Sequence, residues 1–153
     1  MSRPRELIEL ERFLPYRLSV LSNEVSGAIA AAYRDRFGLS VPEWRVIAVL
    51  ARHPGISASE VATLTSMDAV AVSRAVTRLL KGGRIRRQLS RDDRRRSVLR
   101  LSRRGQEVYA AVAPLALRYE QQLLEGMSAG ERRALDTALH KLIERARDLA
   151  GDR

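Results

Sequence analysis

The chain contains no cysteine. That excludes disulfides, thiolate metal sites and thiol-based redox sensing, and it fits a reducing, cytoplasmic setting. No long apolar stretch is present either. The longest run without a charged residue is the ten residues from Val108 to Leu117, against about 20 for a bilayer span. The opening MSRPRELIELER is too charged to read as a signal peptide. Histidine is scarce, and His53 and His140 stand alone without metal-ligand spacing. Glycine loops of the phosphate-binding or dinucleotide-binding kind are missing, as is a Gly-x-Ser-x-Gly elbow. The adjacent carboxylates Asp92 and Asp93 lie in an arginine-rich loop and not in an expected cleft. These absences argue against an enzyme: no catalytic residue, metal or cofactor is expected.

What is present is helix-forming and basic. The 153 residues are 45% hydrophobic and 30% charged, the profile of an ordinary globular domain. The net charge of +10 is unevenly placed. From Lys81 to Arg104 there are eleven basic residues against two acidic ones, so this segment carries +9 and the remainder is nearly neutral. Charge of that density points to a polyanionic partner. It falls on a short hairpin and a helix start, with no stripe along a long helix, which favours nucleic acid over a membrane surface.

Capping signals divide the chain. Pro15 opens a helix carrying Leu18, Leu21, Val25, Ile29 and Ala32 at three- and four-residue steps, and Gly38 stops it. A short extra helix is expected before Pro15. Ser40 to Glu43 reads as a capping box with Pro42 in the first turn, opening a helix through Trp44, Val46, Ile47 and Leu50 that closes at His53-Pro54-Gly55. Ser57 to Glu60 is a second box, and Asp68 is an N-cap for a helix that runs to Gly82-Gly83. Three short helices with tight connections form a helix-turn-helix. Two strands follow, with Ile85 and Leu89 on the first and Leu99 and Leu101 on the second expected to point inward. Ser102 then caps a long helix in which Pro114 should produce a kink. A third box, Ser128 to Glu131, opens the last helix, which carries Leu135, Leu139, Leu142, Ile143 and Leu149. The terminal helices have apolar stripes and no sheet to cover them, so they are expected to pack together and against a second copy. The expected fold is mostly α with a small β-hairpin wing. A winged helix-turn-helix lobe spans 39–102, on a helical dimerisation base made of 1–38 and 103–153.

On the helix from Asp68 to Lys81, at about 100° per residue, Val72, Val76, Leu79 and Leu80 share one face. Val70, Arg74, Thr77 and Lys81 lie opposite, flanked by Ser73 and Arg78. Arginine can grip guanine O6 and N7, valine and threonine can touch a thymine methyl, and serine and lysine can hold phosphates. Arg74 is the candidate principal base reader. In the hairpin, Arg94, Arg95 and Arg96 form a tip suited to a narrow minor groove. Asp92 and Asp93 are expected to hold neighbouring guanidiniums by charge-assisted hydrogen bonds. A non-specific architectural DNA binder and a basic protein-interaction module remain open alternatives.

Trp44 to Leu50, Ser73 to Leu79, and Asp92 to Ser97 followed by Leu101 to Gly105 resemble the MarR family of bacterial transcriptional regulators. The resemblance runs in order along nearly the whole chain, with the Asp-Arg-Arg wing pattern its most specific part. It implies a homodimer on a pseudo-palindromic operator, usually a repressor. Many such proteins release DNA when a small aromatic or anionic effector binds between dimer base and lobe. Carried over, Asp93-Arg94-Arg95 is the wing tip and Arg94 the minor-groove arginine. Pro114 departs from the unbroken helix that the family implies. The candidate effector residues, near the junction of the first helix and the lobe, are Tyr16, Arg17, Asn23 and Trp44.

Overall fold

The computed structural model describes residues 5–152, and its described residues form two compact units, one ending at Ala116 and the other beginning at Leu117. In the first unit a single 3-10 turn, Leu10–Arg12, precedes α1 (Leu14–Ala30), whose Pro15 sits in the first turn as expected. α1 does not run on to Gly38. The chain turns over residues 31–33, Tyr33 leaves helical geometry at φ −129°, and a short α2 (Arg34–Phe37) follows. This break accompanies burial of the Tyr33 ring, which lies in the core beside Ala30 and Leu39. Gly38 does stop the helix, in the left-handed conformation (φ 64°) that glycine adopts most cheaply.

Three helices follow: α3 (Val41–Arg52), α4 (Ala58–Thr65) and α5 (Ala69–Lys81). The box at Ser57 and Glu60 closes in both directions. That at Ser40 closes in one. The Ser40 hydroxyl oxygen accepts from the Glu43 N–H (3.3 Å), but the Glu43 carboxylate accepts from the Ser40 hydroxyl (3.0 Å) instead of from the serine N–H. Val46, Ile47, Leu50, Val61, Val72, Val76 and Leu79 interlock at the centre of the lobe. Each such aliphatic side chain contributes roughly 1.5–3 kcal/mol on burial.

The hairpin pairs β1 (Ile85–Leu89) with β2 (Ser97–Leu101), antiparallel, with Ile85 opposite Leu101 and Leu89 opposite Ser97. Ile85, Leu99 and Leu101 are buried as expected, but Leu89 is 66% exposed. It sits at the outer end of the ladder, opposite Ser97, while Val98, on the other face of the hairpin, is buried. Ile56 bridges to Leu99, so the segment before α4 adds a third, one-residue strand to the wing.

The end of α5 is the most constrained point. Gly83 (φ 71°) donates its N–H to the Leu80 carbonyl (3.1 Å), and Arg84 donates to that of Leu79 (2.9 Å), the paired bonds of a Schellman stop. The same residues receive the start of α6 (Arg103–Leu124). The Ser102 hydroxyl donates to the Gly83 carbonyl (2.6 Å), its N–H donates to the Arg84 carbonyl (3.0 Å), and its oxygen caps Gly105 (3.2 Å). The Arg84 guanidinium donates to the carbonyl of Phe37, at the end of α2 (2.7 Å). α6 continues as helix through Pro114.

The second unit comprises the end of α6, a turn, and α7 (Ala129–Gly151). Ser128 and Glu131 form a complete capping box, and Arg132 closes the turn by donating to the carbonyls of Leu124 (2.7 Å) and Met127 (3.3 Å). No residue of α7 is buried, and Leu135, Leu139, Leu142 and Ile143 are all exposed. On α1, Leu14, Leu18 and Leu21 are exposed as well.

A Cβ added at Gly105 would meet the backbone carbonyl oxygen of Arg84 far inside van der Waals contact, whereas one at Gly126 would meet nothing. Gly105→Ala should therefore destabilise by about 1–3 kcal/mol, despite the roughly 1 kcal/mol that alanine gains in helix propensity. Gly126→Ala should leave the urea midpoint nearly unchanged. Equal midpoints for the two variants would show that the Gly105 contact does not constrain the fold.

Candidate nucleic-acid interface

α5 is anchored at its start by Asp68, whose carboxylate accepts the N–H groups of Val70 (2.7 Å) and Ala71 (3.1 Å). Its inner face, Val72, Ala75, Val76 and Leu79, is buried. Its outer face presents Val70 (58% exposed), Ser73, Arg74, Thr77, Arg78 and Lys81, all in the exposed class. The Thr77 hydroxyl donates to the Ser73 carbonyl (2.9 Å), which ties it to its own helix.

The wing loop is folded on itself. Ser90 donates its N–H to the Arg96 carbonyl (2.8 Å), and Arg96 donates to that of Asp93 (2.9 Å). Asp93 does not grip a guanidinium. Its carboxylate accepts the backbone N–H of Arg95 (3.0 Å), an Asx-type bond that orders the turn. Asp92 likewise has no basic group within 4.0 Å among the described residues. The carboxylate that does hold a wing arginine comes from elsewhere in sequence: Glu60, in the capping box of α4, pairs with Arg96. Arg94 and Arg95 remain exposed and without an acidic partner among the described residues.

A comparable contact reaches α5. Glu43 is only 6% exposed and lies 3.7 Å from the Arg78 guanidinium, whose side chain is 70% exposed. Glu43, Arg74 and Arg78 line one groove of about 240 Å³ between the start of α3 and the outer part of α5. Capping signals identify both glutamates as local helix residues. Their reach to arginines 35 and 36 positions away is a tertiary fact that spacing does not encode.

The four candidate effector residues are not gathered at one place. Tyr16, Arg17 and Asn23 are exposed on α1. Trp44 lies within an aromatic column, stacked on Tyr33 (5.6 Å between centroids) and on Tyr109 (6.0 Å). A separate cleft of about 400 Å³ includes Tyr109, Arg86, Arg100 and Gln106 and none of the four. No helix among the described residues is long and apolar enough to cross a membrane.

A three-helix lobe with an outward-facing α5 and an arginine-tipped hairpin is a winged helix-turn-helix DNA-binding unit. The sequence profile of the MarR family matches residues 37–96. An HTH-type transcriptional repressor of Mycobacterium tuberculosis, Rv2887, is 27% identical over 131 residues, which cover 85% of this chain and 91% of that protein. Among solved structures, a MarR/EmrR family transcriptional regulator from Acinetobacter sp. ADP1 superposes with a TM-score of 0.84 at 29% identity, covering 92% of this chain and 99% of the other. The S. aureus MepR–DNA complex shares the fold with a TM-score of 0.80 at 19% identity, over 89% of this chain and 98% of that one. Residues 37–96 thus match the MarR family, and over most of its length the chain is similar to DNA-binding transcriptional regulators of that family.

The Glu60–Arg96 contact carries a pH signature. The Glu60 carboxyl is held below its ordinary 4.5, first by the Ser57 backbone N–H and then by the Arg96 guanidinium. A carboxyl depressed on folding stabilises the native state above its unfolded pKa, and that contribution disappears as pH falls through the lowered native value. Glu60→Gln should therefore be less stable than wild type at pH 7, with the gap closing as pH drops through and below 4.5. Urea midpoints from pH 7 to about 3 measure it, and a gap unchanged at the acid end would contradict this account of Glu60.

Proposed function

We propose that this protein is a homodimeric, ligand-responsive repressor that recognises a pseudo-palindromic operator. The lobe is residues 39–102, and the dimerisation base is 1–38 with 103–153. One observation carries the DNA-reading part: the outer face of α5, with Arg74 free of any acidic partner among the described residues, belongs to the same lobe as a wing whose Arg94 and Arg95 are free in the same sense. Arg74 reads a guanine edge from the major groove, supported by Val70 and Thr77 against thymine methyls and by Ser73 and Lys81 at phosphates. Arg94 and Arg95 enter the flanking minor groove, where negative potential is concentrated. Arg78 and Arg96, the remaining candidates, are each tethered to a glutamate and stand apart from these contacts.

The dimer reading is supported by the uncovered stripes on α1 and α7. A 23-residue helix with no buried residue has little to hold it in water beyond its own propensity, and exposed apolar patches of this kind mark association surfaces. Two-fold symmetry would set the lobes about one helical turn apart, roughly 34–36 Å. The name of the mycobacterial relative supports repression. Because the chain has no thiol to oxidise, a small aromatic or anionic effector is the more natural signal, although Tyr16, Arg17, Asn23 and Trp44 do not form a single site for it within one protomer.

The test uses the tightest duplex that wild type selects from a randomised library, with a scrambled duplex of equal length as comparison. Arg74→Ala should weaken binding to the selected duplex by about 1–3 kcal/mol and relax preference at one position. Arg94→Ala should weaken binding mainly at the flanks. Sedimentation should show a dimer per duplex. Equal affinity for the two duplexes would favour an architectural role, and a monomer at working concentration would remove the two-fold geometry.

A further inference from the structure

The lobe from 39 to 102 carries thirteen basic and five acidic residues. Of the five acids only Glu43 and Glu60 come within 4.0 Å of a guanidinium among the described residues, and the guanidiniums they meet, those of Arg78 and Arg96, belong to α5 and to the wing loop. We propose that Glu43 and Glu60 are specificity-determining positioning residues, each holding one arginine of the reading surface back from DNA phosphates. The proposal rests on the DNA-binding reading above.

Phosphate contacts raise affinity for every sequence alike and so dilute discrimination, which comes from base edges and groove shape. A lobe this basic needs some of its cations kept off the backbone. Glu43 is built to do so. Its carboxylate is nearly inaccessible and receives the Ser40 hydroxyl (3.0 Å) with Arg78 as its cationic neighbour. If Arg78 swung out to a phosphate, a buried carboxylate would be left with one neutral donor, in a groove otherwise lined by Pro42, Ala71 and Ala75. A charge in that position is costly without its partner, so Arg78 stays. Glu60 is more accessible but makes direct contact with Arg96, while also accepting the Ser57 N–H (2.7 Å). Both glutamates are third residues of capped helices, hence fixed on the scaffold. In each reading element one arginine is tethered and its neighbours, Arg74 on α5 and Arg94 and Arg95 on the wing, have no acidic partner among the described residues.

The experiment measures affinity against salt for full-length protein on the selected and scrambled duplexes. Glu43→Gln keeps an acceptor for Ser40 and removes the charge. It should steepen the logarithmic salt slope on scrambled DNA by about 1, the value of one added phosphate contact. Scrambled DNA should tighten more than the selected duplex, lowering the ratio between them several-fold. Arg78→Gln alone should leave the slope nearly unchanged, and Glu43→Gln added to Arg78→Gln should have no further effect. Glu60→Gln with Arg96→Gln forms an independent second cycle at an exposed site, which holds if an Arg78 variant does not fold. Slopes unchanged in both glutamate variants would overturn the proposal. So would a slope shallower by about 1 in each arginine variant, since these arginines would then already sit on phosphates. A glutamate effect that persists without its arginine would overturn it too, as a general field effect. Failure of wild type to prefer the selected duplex is a different result and sinks the recognition reading itself.

Discussion

The DNA-binding lobe depends on one backbone junction, where the carbonyls of Gly83 and Arg84 receive the first turn of α6. Two glycines end α5, the same stretch launches β1, and Ser102 returns from β2 to bond both carbonyls. Gly105 lies against the Arg84 carbonyl with no room for a side chain. The Arg84 guanidinium carries the constraint to α2 through the Phe37 carbonyl. Root of the wing, end of α5 and start of α6 are thus held by neutral hydrogen bonds from Ser102 to main-chain carbonyls, which ionic strength does not weaken. That matters in a lobe whose net charge repels itself, because salt-dependent pairs alone would let its geometry drift with solution conditions.

The second theme is carboxylates with two tasks. A glutamate at the third position of a helix ordinarily serves the helix start. In α3 and α4 it also touches an arginine of α5 or of the wing loop. Asp68 and Asp93 instead serve backbone N–H groups. Four of the lobe's five acids therefore have defined local bonds, and the acidic minority organises the basic majority without cancelling its field.

Much of this architecture is legible in the sequence because it is local. Serine–glutamate spacing, Asp68 before an apolar periodic run, and Gly82-Gly83 after it locate α4, α5 and α7 closely. The faces of α5 follow from periodicity alone. What is not legible depends on where elements end in space. Alternation assigns Leu89 inward, yet at the outer end of the ladder it is exposed, and Val98 on the other face is buried. Periodicity runs straight through residues 31–33, but the chain turns so that Tyr33 enters the core. Asp92 and Asp93 lie next to arginines in sequence, and adjacency suggested ion pairing. The tight turn directs Asp93 to a backbone N–H, and the ion pair comes from Glu60, 36 residues upstream. Exposure of the proposed DNA-reading residues on α5 follows from helical phase. Which of their charges are free does not, since it requires the tertiary partner of each arginine.

These ties also constrain how a signal can act. α5 is bound to the scaffold through its buried face, its Asp68 cap, Glu43 and the double-glycine stop. The wing is bound through the Ile56–Leu99 bridge, the Gly55 N–H to the Leu99 carbonyl (3.0 Å) and the Glu60–Arg96 pair. α5 and the wing are therefore coupled to the rest of the lobe by several independent contacts, and melting either one would require breaking most of them together. An effector with the free energy of a small-molecule contact acts at lower cost on a joint where few bonds resist. α1 presents such a place: it is mostly exposed, with Ala30 its one buried residue and an Arg45–Ser26 hydrogen bond (3.1 Å) as its polar tie to α3. In the dimer proposed above, regulation would follow from displacing whole lobes relative to each other, with the arginine geometry inside each lobe carried along intact.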